Sequence, residues 1–518
     1  MKPMRLISGF LTVGFWTLMS RIVGLVRDIL MARFLGDGPI AEAFVVAQAL
    51  PNMFRRFFAE GAFNMAFVPM FAKKSEAGED AEAFARDAYW GMAALLTVFS
   101  IIAILAMPLL VVMMASGFVG DERFDLAVLM GRIAFPYILF ISLTALLSGM
   151  LNAMGRFVVT SAVTILLSAS LIAGILMADH FGWDMAYSQS WAVTISGVLQ
   201  LLVTWIAVRR LGFRLPFRWP ALTPDLKRLA IIAAPAVLAG GVVQINLIVG
   251  RQVASGTEGA MVWLYNADRL YQLPLGVVGI AIGVVLLPEL SRRLRANDDT
   301  GSRSAYNRGS EFALLLTVPA AVALVVIAWP IISVVYQRGA FGPEAAIFTA
   351  QALAAYGVGL PAFVLQKVLQ PLYYAREDTR SPFRFAVWSM VVNAILAVGL
   401  MPLIGFLAAA IATSASAWVM VWQLWRGTRT MGEAARFDSR FLHRLPRIIA
   451  ASALMGAVLW GLAWALAPQL SVPGLRTATL GGIILIGIVT YFGSAALFGA
   501  MSLRELKSSL RRKRREQD

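Results

Sequence analysis

Two stretches of this sequence decide its fold: SRIVGLVRD at residues 20–28 and LPNMFRRFFAEGAFNMAFVP at residues 50–69. Long apolar runs flank both stretches, which is the pattern of a membrane protein. Ionisable residues nevertheless recur within and between them, among them Arg21, Arg27, Asp28, Arg33, Glu42, Arg55, Arg56 and Glu60. Charged groups at membrane depth are costly, and chains that keep them generally use them. The stretches therefore predict a functional site inside a membrane.

The composition of the whole chain supports a membrane protein. Its 518 residues are 59% hydrophobic and 14% charged, whereas soluble domains contain about 25% charged residues. Cysteine is absent, which excludes disulfides and thiolate ligands, and the two histidines, His180 and His443, are far apart in the sequence. We therefore expect neither a metal site nor a cofactor.

Windows of about 20 apolar residues predict an all-α polytopic membrane protein with about fourteen transmembrane helices. The basic N-terminus and first apolar run resemble a signal peptide but lack a small-x-small cleavage site, so we interpret them as a retained helix. The predicted spans cover residues 8–32, 40–72, 87–116, 125–152, 159–179, 187–208, 229–250, 259–290, 310–337, 344–373, 384–401, 406–425, 447–467 and 477–500. The loops between them are too short for a separate soluble domain.

Lysine and arginine are distributed unevenly between the two sides of these spans. Of the 45 basic residues, 33 lie at the N-terminus, in every second loop or in the tail, and six lie on the opposite side. The positive-inside rule therefore predicts that both termini are cytoplasmic and that the number of spans is even. The net charge of +16 and the basic tail are explained by topology or by contact with lipid head groups, and we expect no nucleic-acid partner.

A faint internal repeat relates the two halves of the chain. Three landmarks recur at a nearly constant offset of 222–224 residues: Leu50-Pro51 with Leu273-Pro274, Ala153 with Ala375, and residues 170–177 with residues 394–401. Duplication of a six-helix unit would place two lobes around an axis along the membrane normal. The predicted parts are an N-terminal lobe at 1–215, a C-terminal lobe at 216–430, two extra helices at 431–503 and a basic tail at 504–518. Between Pro51 and Pro69 the first lobe has about one more helical turn than the second lobe has between its corresponding prolines.

Six basic residues fall inside predicted spans: Arg21, Arg27, Arg55, Arg56, Arg269 and Lys367. Arg21 and Asp28 are seven residues apart and share a helix face, which leaves Arg27 without an obvious acid partner. Arg55, in the second span, also has no obvious acid partner. Asn52, Arg56 and Glu60 form a polar stripe, and the alternative to a binding role is an Arg56–Glu60 ion pair that neutralises both. Arg33 lies near a helix end, where its side chain can reach the interface.

Spans 8 and 10 contain the other interior charges. Asp268 and Arg269 are adjacent, and neighbours on a helix do not face each other, so at least one needs another partner. Lys367 lies between Pro361 and Pro371, where it either bonds free carbonyl groups or serves the site. Arginine dominates the interior charge, and its fork suits phosphate or carboxylate. The pattern predicts a cationic central cavity for an anionic head group.

Four segments carry a resemblance to a known family: SRIVGLVRD, LPNMFRRFFAEGAFNMAFVP, YNADRL at 265–270 and KVLQPLYYAREDTRSP at 367–382. The chain resembles the MurJ/MviN lipid II flippases of the MOP exporter superfamily over essentially all its spans. The resemblance implies alternating access and transport of the undecaprenyl-pyrophosphate-linked peptidoglycan precursor to the outer leaflet of the bacterial cytoplasmic membrane. It also implies a groove for the lipid tail at the two extra helices, with cell-wall synthesis enzymes as possible partners.

The resemblance also implies site residues. Positions that match the family are Ser20, Arg21, Arg27, Asp28, Arg55, Arg56, Glu60 and Arg269, and to these we add Glu42, Asp268 and Lys367 as expected substrate-binding residues. Glu42 stands where the family usually has aspartate. The family's sodium site needs an acid in span 7, where this chain has only Gln244 and Asn246, so we do not expect sodium coupling on this basis.

Two other functions compete with this interpretation. An exporter of another polyprenyl-linked oligosaccharide or of a small molecule would share the fold, but an organic-cation exporter should have an acidic, aromatic cavity. A membrane glycosyltransferase would need a carboxylate in a loop at the reaction centre, whereas the loops here are short. We therefore expect a transporter and no enzyme.

Overall fold

The structure of the chain is a computed structural model, and it describes residues 3–58 and 62–501. Within these ranges the regular elements are helices joined by short turns, without a β-strand. Lipid offers no hydrogen-bond partner to a backbone amide, so apolar spans satisfy their N–H and C=O groups within helices. The predicted all-α class is confirmed.

The first eleven α-helices are separated by turns and by one longer segment without regular structure at residues 211–223. They are α1 Pro3–Leu35, α2 Pro39–Phe58, α3 Ala62–Ala77, α4 Ala81–Leu105, α5 Met107–Met114, α6 Glu122–Ala134, α7 Tyr137–Ala153, α8 Phe157–Ala162, α9 Ile165–Phe181, α10 Met185–Arg210 and α11 Pro224–Ser255. Side-chain oxygens of Asp80, Asp121, Asp184 and Thr223 accept backbone N–H groups at the starts of α4, α6, α10 and α11. These caps satisfy amides that have no partner within the helix.

The remaining helices are longer on average and include several internal prolines. They are α12 Ala260–Arg295, α13 Asp299–Val326, α14 Ala328–Val335, α15 Pro343–Tyr374, α16 Arg380–Ile404, α17 Leu407–Thr428, α18 Ser439–Ala465, α19 Ala467–Ser471 and α20 Leu475–Leu497. Asp298 and Asp438 cap α13 and α18 in the same way.

Each predicted span coincides with one of these helices or with two consecutive ones. Among the described residues, ten helices or runs of helices are long and apolar enough to cross a membrane. The other four predicted spans are those at α1, at α2 with α3, at α11 and at α12, so the count of fourteen stays a prediction. Three of these four contain five of the six interior basic residues.

The chain divides into two compact units. Unit 1 comprises Met1–Val262 and Arg338–Gly342, and unit 2 comprises Trp263–Gln337 and Pro343–Asp518. The predicted boundaries of the lobes, the extra helices and the tail stay predictions.

In unit 1, α2 is the most enclosed element: every residue from 41 to 50 is buried. It packs against α6, α7 and α10, while α1 lies along α8 and α9. Burial of a whole ten-residue segment leaves no face of that segment for water, so polar groups in this region need partners within the protein.

Unit 2 is built on α13, α15 and α17, and α18 packs on α13 and is itself covered by α20. Side chains of α12, α13, α15 and α17 form one apolar core that includes Leu286, Tyr306, Leu372 and Leu424. A second core joins α13 and α14 to α18, α19 and α20. Apolar contacts thus pack the last two predicted spans against the rest of unit 2.

Candidate functional site

The predicted site on α1 contains a buried ion pair between adjacent residues. Arg27 and Asp28 are 5% and 4% exposed, and the Arg27 Nε and Nη2 atoms lie 2.9 and 2.6 Å from Asp28 Oδ1. The expectation that Arg27 lacks an acid partner is therefore wrong. Arg21, which the helix spacing placed beside Asp28, is exposed and forms no ion pair within the described part of the chain.

Helix α9 supports this region of α1 through two hydroxyl groups that the sequence reasoning missed. Arg27 Nη1 donates to Ser168 Oγ at 3.4 Å, and the Thr164 hydroxyl donates to Ser20 Oγ at 3.3 Å. Thr164 immediately precedes α9, and Ser168 follows four residues later, so the two hydroxyl groups lie on the same side of the helix. This spacing is the feature of the sequence from which the two contacts could have been predicted. The two contacts fix the register of α1 against α9 and orient the Arg27 guanidinium group.

Glu42, at the start of α2, lies in a closed ion-pair network. It is 1% exposed; Arg123 Nη1 donates to its Oε2 at 2.9 Å, and the Met261 backbone N–H donates to its Oε1 at 3.2 Å. Arg123 also bonds Asp121 and lies 4.5 Å from the centre of the Phe118 ring. The hydrogen bond from Arg123 lowers the pKa of Asp121. These contacts hold α2 to the starts of α6 and α12, and the substrate-binding role expected for Glu42 stays a prediction.

The C-terminal end of α2 carries the arginines of the predicted polar stripe. Arg55 is half-buried and Arg56 is exposed. Asn52 donates to the Gln48 carbonyl of its own helix at 2.8 Å, so it is satisfied locally. Glu60 lies outside the described residues, and the Arg56–Glu60 pair therefore stays a prediction.

Helix α12 carries the second adjacent pair of opposite charges. Arg269 Nη2 donates to the Tyr265 hydroxyl at 2.9 Å, and its guanidinium lies 4.8 Å from the centre of the Tyr265 ring. Asp268 accepts a hydrogen bond from Gln272. Both residues are half-buried. Each thus has a partner four residues away along the helix. This agrees with the expectation that at least one of them needs a partner other than its neighbour.

Lys367 lies on α15 between two prolines that the helix incorporates, Pro361 and Pro371. Its side chain is exposed and forms no ion pair within the described residues. A Cβ at Gly279 of α12 would lie 3.9 Å from Lys367 Cγ, so its stem passes close to that glycine. Both alternatives for Lys367, a bond to free carbonyl groups and a part in the site, stay predictions.

An apolar cavity of about 230 Å³ lies within unit 2. Residues of α13, α18 and α20 line it, among them Pro319, Leu459, Ile488 and Phe492. Tyr491 turns its hydroxyl away to the Leu315 carbonyl, at 2.6 Å, which leaves the cavity wall apolar. Such a wall can hold hydrocarbon but offers nothing to a charged ligand.

The described residues contain no cluster of three or more His, Cys, Asp or Glu side chains that could hold a metal ion. Gln244 of α11 is buried at 5% exposure and Asn246 is half-buried. The chemistry that the described site offers is therefore hydrogen bonding and charge, supplied mainly by arginine.

The comparisons with known proteins first define the class. The fold matches the inward-facing conformation of a multidrug resistance MATE family transporter of the MOP superfamily, with a TM-score of 0.68 and 15% identity over 82% of this chain and 98% of that one. At that identity the likeness shows the fold alone: this is a membrane protein with the architecture of MOP transporters.

The family follows from closer matches. The family model described as "Lipid II flippase MurJ" matches residues 31–475. A probable lipid II flippase MurJ of Rhizobium tropici is 43% identical over 521 residues, which cover 99% of this chain and 98% of the relative. A solved structure of a lipid II flippase MurJ in an inward closed conformation matches with a TM-score of 0.79 and 25% identity, over 94% of this chain and 98% of that one. The chain belongs to the MurJ family.

Proposed function

We propose that this chain moves lipid II from the inner to the outer leaflet of the bacterial cytoplasmic membrane. The observation that carries the proposal is membership of the MurJ family, established over residues 31–475. Ten candidate membrane spans among the described residues support a multi-pass protein. The positive-inside count favours cytoplasmic termini.

The arginines divide into two kinds in this proposal. The charge of Arg27 is balanced by Asp28 at 2.6 Å, so this pair contributes an oriented set of N–H donors more than net charge. Arg21 and Arg56 are exposed and form no ion pair within the described residues. We therefore assign the net positive charge that attracts the pyrophosphate to Arg21 and Arg56, and hydrogen-bond donors to Arg27, Arg55 and Arg269.

The lipid tail has a separate place in the proposal. The cavity of about 230 Å³ in unit 2 is lined by apolar side chains of α13, α18 and α20, and α18 and α20 correspond to the two extra predicted spans. An apolar surface in contact with the bilayer suits a polyprenyl chain. The head group would then move in an alternating-access cycle while the tail stays in hydrocarbon, and the two states must bind the head group differently for binding to drive the change.

Transport by this chain can be tested in bacteria depleted of their own flippase. Expression of the chain should restore growth and make the lipid-linked precursor accessible from the outer face. An Arg21→Gln/Arg56→Gln variant, expressed at the same level, should leave the precursor inside. If the wild-type chain reaches the membrane at normal abundance and the precursor stays inaccessible, the chain carries another cargo.

The enzyme alternative receives a direct test in the same strain. A glycosyltransferase would change the chemical composition of the polyprenyl-linked pool, whereas a flippase changes only its leaflet. Mass spectrometry of extracted lipids before and after expression should show no new species if the chain is a transporter.

A further inference from the structure

The segment at residues 211–223, LGFRLPFRWPALT, has no regular secondary structure, and the transport proposed above gives it no role. It joins the end of α10 to the start of α11, and we name it the strap. Two prolines, Pro216 and Pro220, fix the backbone φ angle at their own positions and favour extended backbone at the residues before them, Leu215 and Trp219. Since α10 is a candidate membrane span ending at Arg210 and α11 covers another predicted span, both ends of the strap lie at membrane helix ends on one side.

One side of the strap is fastened to α4. Trp90 Nε1 donates to the carbonyl groups of Leu215 and Pro216, at 3.4 and 3.0 Å, and Leu215 is buried at 5% exposure. The Arg214 backbone N–H donates to Glu82 at 3.3 Å. The predicted hydrophobic span of α4 begins near residue 87. The contact between the strap and Trp90 therefore places the strap at the level where the hydrocarbon begins.

The other side of the strap presents bulky apolar side chains with no cover. Phe217, Trp219 and Leu222 are 62%, 81% and 84% exposed. Phe217 packs its ring against both Trp90 and Trp219, with centroids 4.9 and 5.6 Å apart. Tryptophan is typical of the membrane–water interface, where its apolar ring contacts lipid and its N–H group contacts water.

Basic residues surround these apolar side chains. Residues 209–228 contain six, all exposed: Arg209, Arg210, Arg214, Arg218, Lys227 and Arg228. Arg218 contacts Asp87 at 3.4 Å, and the other five form no ion pair within the described part of the chain. Uncompensated positive charge beside uncovered aromatic rings matches the chemistry of an anionic lipid surface.

We propose that the strap binds the anionic head groups of the leaflet next to it: Trp219 and Leu222 enter the interface, and the five unpaired basic side chains contact lipid phosphates. Each such side chain near an anionic leaflet changes the partition by about fivefold. The strap is thereby held between α4 on one side and lipid on the other. Binding of lipid by the strap is independent of which cargo the chain carries.

The absence of cysteine from the sequence allows a clean test on the full chain. Leu222→Cys is labelled with an environment-sensitive fluorophore, and the protein is placed in nanodiscs of phosphatidylcholine alone or mixed with phosphatidylglycerol. Lipids spin-labelled near the head group should quench the probe in the anionic discs far more than in the neutral ones. Added salt should weaken the difference because it screens exposed charges.

Two control variants decide the interpretation. Ser75→Cys places the same probe on an exposed residue at the end of α3, where Glu76 and Glu79 offset the charge of Lys73 and Lys74, and its quenching should be equal in both discs. Leu222→Cys with Arg209→Gln, Arg210→Gln and Arg214→Gln should lower the ratio of quenched to unquenched probe on the order of tenfold or more. Equal quenching in neutral and anionic discs, or an unchanged ratio in the triple variant, overturns the proposal and leaves the strap to a protein partner.

Discussion

Two adjacent pairs of arginine and aspartate behave differently in this chain. On α1, Arg27 and Asp28 contact each other directly and are buried at 5% and 4% exposure. On α12, Asp268 and Arg269 are half-buried, and each bonds a neutral side chain four residues away on its own helix. The same two residue types at the same spacing thus differ in burial and in the neutral side chains that they contact.

Burial accounts for the difference. An ion that is fully removed from water is costly unless a counter-ion or several hydrogen bonds replace its hydration. Arg27 bends back to its neighbour and to Ser168 because α9 covers that side of α1. Arg269 keeps part of its surface exposed and uses the ring and hydroxyl of Tyr265. The comparison indicates that the α1 pair is integral to folding, whereas the α12 residues keep part of their surface exposed and depend less on their partners for stability.

The largest effect is expected from breaking the α1 pair. Arg27→Ala leaves the Asp28 carboxylate without the guanidinium that contacts it, which should cost about 3–5 kcal/mol of stability and abolish transport. Thermal unfolding in detergent measures the first effect and outer-face accessibility of the precursor the second. In the double variant Arg27→Ala/Asp28→Ala stability should recover in part while transport stays absent. A single variant with wild-type stability would show that the pair does not support folding.

The Glu42–Arg123 pair extends the comparison to a second buried carboxylate. Glu42→Gln removes a hydrogen bond between charged groups, while Asp121 still holds Arg123, so we expect a loss of about 1.5–3 kcal/mol in stability. Transport per folded molecule should stay close to that of the wild type. Arg123→Gln is the matched variant and should cost more, about 3–5 kcal/mol, because it leaves the buried Glu42 carboxylate without its counter-ion. A Glu42→Gln protein that is stable yet inactive would instead give Glu42 the substrate-binding role that the sequence suggested.

Substitution of Arg269 tests the half-buried α12 pair. Arg269→Ala should change stability by no more than about 1 kcal/mol, since the residue is half-buried, yet it should strongly reduce transport. Tyr265→Phe keeps the ring beneath the guanidinium and removes only the hydroxyl that accepts from it, so its transport should fall less. If Arg269→Ala destabilises the protein as much as Arg27→Ala does, the proposed difference between the two pairs is wrong.

The sequence predicted the helices well because membrane spans depend on long apolar runs, a signal that needs no knowledge of tertiary contacts. Their interruptions were missed. Predicted spans 3, 4 and 9 each divide into two helices close to a proline, at Pro108, Pro136 and Pro330. Proline lacks an amide hydrogen and disturbs the preceding turn. Helices α12 and α15 nevertheless continue through their prolines, so proline in the sequence marks only candidate positions for such divisions.

The partners of the charged residues were harder to predict. Glu42 and Arg123 are 81 residues apart, and no spacing rule says which helices will be neighbours. Arg27 and Asp28 were assigned to different faces because helix-face reasoning follows the direction of Cβ, whereas an arginine side chain is long enough to return to the adjacent residue. Facing directions therefore constrain short side chains more than long ones.

The smallest effect concerns the α9 hydroxyl that orients Arg27. Ser168→Ala removes one acceptor at 3.4 Å, and a long, weak hydrogen bond of this kind should contribute about 0.5–1 kcal/mol. Because the Arg27–Asp28 pair remains, we expect nearly normal abundance and a transport rate reduced severalfold, with Ser168→Thr restoring it. Thr164→Val removes the matching contact to Ser20 and serves as the control for general loosening of α1 against α9. Equal losses in Ser168→Ala and Thr164→Val would mean that α9 acts by packing, while a loss confined to Ser168→Ala would show that the orientation of one guanidinium group limits transport.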